Sequence, residues 1–324
     1  MLVLDRRNLL QMTAAGAVLA AGGARPHEAA AKAAASNDAP GFYRFQLGEF
    51  RITALCDGVF ALPTDSIATN VEKAERTAYF EAHYIPADMF QLQLNPLVID
   101  TGQKRLLVDT GIGAGKDWAT NAGRLAGSLE GAGIAPDTID TVVLTHCHPD
   151  HIGGLDADPV KQFANAELVL SEVELDVWNA PDAASKLPKW AVENVPGIQK
   201  AFAALGDRVR PIKSGADVVT GVTSVDTAGH TPGHISLLIG SGKEQLLLTG
   251  DAIPSIHISF DQPEWQIIWD HDREKAAKTR RALLDRAATE RLLVAGYHYP
   301  FPGVGHVVKE GMGFRWLPAD WIWS

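Results

Sequence analysis

The sequence predicts an α/β protein built as a four-layer αββα sandwich of two similar halves. The first observation is an internal echo. "KRLLVDTG" at 104–111 and "EQLLLTGD" at 244–251 both run charged turn, apolar strand, then an acid beside Thr-Gly. The second is that each half of the chain runs strands followed by helix, and two such halves bury their apolar faces best sheet against sheet, with helices outside. The third is that the residues with the most chemistry each follow directly on a predicted strand. One edge of the sheets could then gather them all.

Taken in order, the elements begin with a leader. "DRRNLLQMTAAGAVLAAGGA" pairs Arg6 and Arg7 ahead of Leu9, Leu10 and a short run of small apolar residues. That run is too short for a membrane span, which needs about 20 apolar residues. It suits an export signal of twin-arginine type. Residues 1–38 are therefore read as signal and Ala-rich tail, and 39–324 as a single domain, periplasmic or secreted, with no stable membrane insertion. Cys56 and Cys147 are the two cysteines, too few for a disulfide framework, and are expected to be free thiols. The net charge of −10 argues against a nucleic-acid partner, because phosphate backbones need concentrated Lys and Arg.

After the leader, "GFYRFQLGEFRITALCDG" gives two strands turning at Gly48-Glu49, and "NPLVIDTGQKRLLVDTG" gives a second hairpin around Gly102. Residues 117–133 carry helical spacing through Trp118, Leu125 and Leu129, with Gly131 and Gly133 to end the helix. "IDTVVLTH" is a short buried strand. Residues 172–205 read as helix interrupted by Pro181, Pro188 and Pro196, which predicts a cap or lid over a pocket. "VTSVDTAGHTPGH", "ISLLIG" and "QLLLTGDA" supply further strands, followed by a helix at 272–288 and the strand in "RLLVAGYH".

Among eleven histidines in the chain, three fall in the six residues "HCHPDH", at 146–151. His146, His148, Asp150 and His151 lie there; His230 lies in "TAGHTPGH", Asp251 in "LTGDA" and His298 in "AGYHYPFPG". Imidazole and carboxylate without thiolate suit zinc, and allow manganese, cobalt or iron. By spacing, His146 and His148 can point to one ion while Asp150 and His151 turn toward a second.

The ordered set H-x-H-x-D-H, Gly-His-Thr-Pro-Gly, Gly-Asp and a last His resembles the metallo-β-lactamase superfamily. "APGFYRFQLGEFRITALCDG", "THCHPDHIGGL", "GHTPGH", "FPGVGH" and "GFRWLP" further resemble its methyl parathion hydrolase group, across roughly residues 39–320. The resemblance implies two divalent ions. One would be held by His146, His148 and His230, the other by Asp150, His151 and His298, with Asp251 bridging them. It also implies a metal-bridging hydroxide as nucleophile, Asp150 and Asp251 as catalytic residues, and often a homodimer. The substrates implied are lactones, aryl esters and organophosphate triesters of methyl parathion type.

A ligating histidine usually donates its second N–H to a carboxylate or carbonyl. Asp57 and Asp109 are candidates for that role, with stabilisation of its own tight turn as the alternative for each. His234 and His306 are read as loop-fixing residues near the site, and His257 as exposed or facing the pocket. By position in the family, Trp118, Trp178 and Trp190 would line the substrate pocket. A glyoxalase-II-like thioesterase shares every ligand and remains an alternative, as does a non-catalytic metal-binding protein. A nuclease is disfavoured by charge, and a β-lactamase by the aspartate at 251 where many carry cysteine.

Overall fold

The first hairpin forms as its turn residues direct. β1 (Phe42–Leu47) and β2 (Phe50–Leu55) pair antiparallel, with Leu47 opposite Phe50 across Gly48-Glu49. The structure, a computed structural model, describes residues 41–155 and 162–321, so the export leader lies outside the described residues. Pro40–Ser324 forms one compact unit.

The second hairpin, β5 (Leu97–Asp100) and β6 (Arg105–Val108), extends the sheet of β1 and β2. Beyond it, β7 (Thr141–Val143), β8 (Glu167–Ser171) and β9 (Val209–Ile212) run parallel to β6, giving a seven-stranded sheet ordered β1-β2-β5-β6-β7-β8-β9. The second sheet takes β10 (Asp217–Val219), β11 (Val222–Asp226), β12 (Ile235–Ser241) and β13 (Glu244–Leu248), then β14 (Leu293–Ala295), β15 (Val304–Glu310) and β16 (Gly313–Pro318), in sequence order.

The echo in the sequence is an echo in space. β6 and β13 each close an antiparallel hairpin, then pair parallel with the next strand of their sheet after a helix crosses over. The crossover helices are Leu125–Gly131 and Arg273–Thr289. Alternation of side chains makes the sandwich. Leu106 and Val108 face Leu246 and Leu248 in a shared core between the sheets. Leu107 turns outward onto the helices of the first half, and Leu247 onto those of the second. Each such fully buried leucine contributes about 1.5–3 kcal/mol.

One predicted helix differs from expectation, and the interrupted one breaks at two of its three prolines. The single helix over 117–133 is a 3-10 turn at Asp117–Ala119 and a separate helix at Leu125–Gly131. Gly123 breaks it, in the left-handed region at φ 79° and too close to the Gly113 carbonyl for any Cβ. The 172–205 region forms four short helices, Glu172–Asn179, Ala183–Lys186, Lys189–Val192 and Val195–Leu205. Pro181 and Pro188 fall at the breaks, while Pro196 sits harmlessly in the first turn of the last helix. Unexpected from sequence is a ribbon of β3 (Gly58–Pro63) and β4 (Met89–Leu94), with the helix Lys73–Ala82 between its strands. It packs with Ile258, Trp265 and Ile267 into a separate apolar cluster that overhangs the strand ends. No helix among the described residues is long and apolar enough to cross a membrane.

Candidate metal centre

The strand ends deliver the histidines. β7 ends at Val143 and the chain passes through Leu144 and Thr145 into His146, while β13 leads through Thr249 to Asp251 and β14 through Tyr297 to His298. Three overlapping groups result: His146, His148 and His230; His146, His151 and Asp251; Asp150, His151 and His298. Within each, the donor atoms lie within 4.8 Å of one another. Asp251 reaches a histidine of each group, lying 3.3 Å from His151 Nε2, 3.4 Å from His230 Nε2 and 3.2 Å from His298 Nε2. Asp150 Oδ2 stands 3.4 Å from His298 Nε2 and 3.6 Å from His151 Nε2. The structure thus brings all seven sequence-selected groups together.

Outer partners set which ring nitrogen faces inward. His151 Nδ1 donates to Asp109 at 2.8 Å, and His230 Nδ1 to Asp270 at 2.8 Å. His298 Nδ1 donates to the Gln93 carbonyl at 2.7 Å. Each therefore turns its Nε2 toward the cluster. Asp109 adopts φ 61°, unusual for a non-glycine residue, and its carboxylate also accepts from Thr145 N and Oγ1. That conformation turns the carboxylate back beneath the histidine loop. His234 contacts no ligand ring by hydrogen bond; its Nε2 accepts from Asp251 N at 3.0 Å and so fixes that backbone.

Electrostatics divide the donors: against burial, Asp251 above all holds His151 and His298 above the ordinary imidazole range, so an ion bound there would displace their protons. Burial, then the neighbouring histidines, hold His146 and His148 well below the ordinary imidazole range, so both are neutral at pH 7. Burial would raise Asp251, but His298 and His151 hold it well below the carboxylate range. His146 Nε2, His151 Nε2 and Asp251 Oδ1 are buried with no hydrogen-bond partner. His148 Nδ1 also faces His230 Nε2 at only 2.9 Å. Unpaired buried acceptors are costly, and a divalent cation satisfies several at once. The donor set fits two such ions of the zinc class.

Several sequence-stated roles need correction. Asp57 touches no histidine of the cluster. Its fully buried carboxylate accepts from Ile112 N at 2.8 Å and Leu125 N at 2.7 Å, pinning the loop after β6 to the helix that follows. Trp178 is 1% exposed and does not line the main cavity; it packs behind His148 and donates Nε1 to Glu174. His306 sits on an exposed face of β15, bonded to the Leu292 carbonyl, away from the site. His257 takes the exposed alternative and does not line the cavity.

Trp118 and Trp190 do line it. The cavity of about 300 Å³ is walled by Phe60, Leu62, Phe90, Leu92, Ile258 and Trp269 among others, with His148, Asp150, His230, Asp251 and His298 at its base. Sequence reading missed the ribbon residues because Phe60 and Phe90 belong to an element with no motif of its own. It also missed Glu174, whose buried carboxylate accepts from Cys147 N, Trp178 Nε1, Thr231 Oγ1 and Gly233 N. Glu174 thereby ties the "HCHPDH" loop to the "GHTPGH" loop. Its place in an ordinary helical stretch gives no signal.

The comparisons with known proteins agree with this geometry. Residues 90–298 match the family model "Metallo-beta-lactamase superfamily". The chain belongs to the metallo-β-lactamase superfamily. AidC, a dizinc quorum-quenching lactonase seen with its product N-hexanoyl-L-homoserine, superposes with TM-score 0.80 at 28% identity, over 87% of this chain and 98% of AidC. The hydrolase AbOPH superposes with TM-score 0.79 at 31% identity, over 88% of this chain and 99% of its own. An N-acyl homoserine lactonase of Bacillus sp is 26% identical over 185 residues, 52% of this chain and 66% of the lactonase. The protein is a metal-dependent hydrolase of this superfamily, and its His/Asp cluster is suited to divalent ions.

Proposed function

We propose that the protein is a binuclear hydrolase that opens lactones and cleaves aryl esters carrying an uncharged apolar group. The observation that carries this is the gathering of the seven donors, three of them with orphaned buried atoms, five of which line the base of an apolar cavity. A closed structural site would have no such opening. His146, His148 and His230 would hold one ion, Asp150, His151 and His298 the other, and Asp251 both. Zinc comes first, with manganese, cobalt or iron as alternatives. Two bound divalent ions supply Lewis acidity, which acidifies water and polarises an ester carbonyl.

The chain's own residues supply the rest. Asp150 lines the cavity beside Asp251 with its side chain 14% exposed, and its carboxylate would carry a proton to or from the cleaved ester. Asp251, almost wholly buried, holds its geometry through the backbone bond to His234. Trp118, packed edge-on against Phe60, and Trp190, edge-on against His148, exclude water from the acyl or aryl group. Among the described residues that line the cavity none is lysine or arginine, and Glu193 adds a further negative charge. An anionic glutathione thioester is the poorer fit for that lining.

Phosphotriester turnover of methyl parathion type belongs to this reading as a side activity, since phosphorus and carbonyl centres share the demand for a polarised oxygen. The RR-x-L-L leader supports export to the periplasm or beyond, and the methyl parathion hydrolase resemblance supports a homodimer. A panel of N-acyl homoserine lactones, dihydrocoumarin, phenyl acetate and methyl parathion, run on zinc-reconstituted protein, tests the substrate reading. Turnover led by lactones or aryl esters is expected. Two bound ions with no turnover of either class would sink it.

A further inference from the structure

We infer that Asp270, held by the buried Arg280, is the positioning residue that makes one of the two ion sites, the one through His230, depend on the helix Arg273–Thr289. The inference rests on the two-ion reading above. It starts from how the ligands are held. In the first half of the chain Asp109, just after β6, supports His151, and in the second half Asp270, just before the helix Arg273–Thr289, supports His230.

Asp270 Oδ1 accepts from His230 Nδ1 at 2.8 Å, and its Oδ2 accepts from Arg280 at 3.3 Å. Both side chains are buried, at 0% and 1% exposure. Arg280 spends its remaining donors on backbone carbonyls: Ala252, next to Asp251, at 3.3 Å, and Pro263 and Trp265 at 3.0 and 2.7 Å. A buried guanidinium with its donors so distributed is fixed in place. It therefore sets the position of the Asp270 carboxylate, and of the backbone carrying Asp251, together.

The surrounding contacts run the same way. His271 N donates to the His230 carbonyl and Asp272 N to the Gly229 carbonyl, both at 2.9 Å, and Thr279 Oγ1 donates to the Ala228 carbonyl at 2.9 Å. The His230 loop is thus laid along the start of the helix. With Nδ1 committed to Asp270, His230 has one tautomer, and its Nε2 lone pair faces His148 and Asp251. Removing the carboxylate frees the ring to rotate or to exchange tautomers. His146 and His148 then remain as an incomplete pair, while the site of Asp150, His151 and His298 keeps its own supports, Asp109 and the Gln93 carbonyl.

Outer partners of ligating histidines change metal affinity by about 10–100-fold. The experiment uses the full chain, zinc alone, and the variant Asp270→Asn, with thermal unfolding to show that it remains folded. Chelator competition on wild type and variant reads the affinity of each ion, and cobalt substitution reads each site's visible absorption. The expected result is an affinity loss of about 10–100-fold for one ion only, with one cobalt band set altered, and recovery in Asp270→Glu. Arg280→Met, which also frees the backbone beside the shared Asp251, is expected to weaken both ions, the one through His230 more. Two ions held by Asp270→Asn with wild-type affinity would overturn the inference and leave the two-ion reading standing. A wild-type chain that holds no zinc would instead overturn the two-ion reading, and this inference with it.

Discussion

Asp251 shows how a single residue sits between two demands. Its carboxylate lies within 3.4 Å of three histidine Nε2 atoms, and one of its oxygens, Oδ1, has no hydrogen-bond partner. Asp251→Ala therefore removes the group shared by both proposed ion sites. Zinc content should fall below two per chain, and lactone turnover should drop by more than the ~100-fold upper range for an outer partner. Elemental analysis beside initial rates checks this; full zinc content with near-normal turnover would contradict it. Asp57 makes a different point. Burial pushes its carboxyl up from 3.8 to about 6 despite the backbone N–H groups it accepts from. A carboxyl raised on folding favours the folded state below pH 3.8, and that contribution is lost as pH rises to about 6. Urea midpoints of the metal-free chain between pH 4 and 6 should carry a downward component that Asp57→Asn lacks. An unchanged pH slope in the variant would show that Asp57 does not titrate there.

Elements, rather than residues, decide how precisely the two histidine loops meet. Glu174 lies on the helix Glu172–Asn179 and binds both loops through three hydrogen bonds, accepting a fourth from Trp178 of its own helix. Glu174→Ala leaves several buried donors unpaired at about 1–3 kcal/mol each. The melting temperature should fall and zinc affinity with it, whereas Glu172→Ala on the same helix should change neither. Gly229 is the matching contact in the second half. At φ 141° it lies so close to the helix Arg273–Thr289 that an added Cβ would stand 2.5 Å from Ala276 N. Gly229→Ala should cost about 1–3 kcal/mol through overpacking, and differential scanning calorimetry would read it. These contacts also explain what could be read from sequence. The hairpins, the strand ends and all seven donors were legible because each rests on a local pattern: a turn, an apolar run, a motif. Glu174, Asp270 and Arg280 were not, since their partners lie far along the chain or are backbone groups that no pattern marks. The ribbon of β3 and β4 was missed for a related reason. Its two strands are separated by a helix and several turns, and only its packing over the strand ends gives it meaning.

At the scale of the whole molecule, the donors come from both halves of the sandwich. His146, His148, Asp150 and His151 follow β7 in the first sheet, while His230, Asp251 and His298 follow strands of the second. Bound ions therefore tie the two sheets together at one edge, beyond the apolar core that already joins them. Without ions, that edge holds orphaned buried acceptors and a pair of imidazole nitrogens 2.9 Å apart. An ion that binds only the folded chain stabilises it by about 2.7 kcal/mol when free metal is 100 times its Kd, and by ~1.4 kcal/mol more for each further tenfold. Because both halves supply ligands, this stabilisation should act on one unfolding transition and not on a part of the fold. Chelation should lower a single melting temperature, and graded zinc should restore it without splitting the transition. In Asp251→Ala the same zinc series should give a smaller rise. A melting temperature indifferent to zinc would mean that the seven donors hold no ion in solution. A transition that splits would mean the ions stabilise one half alone.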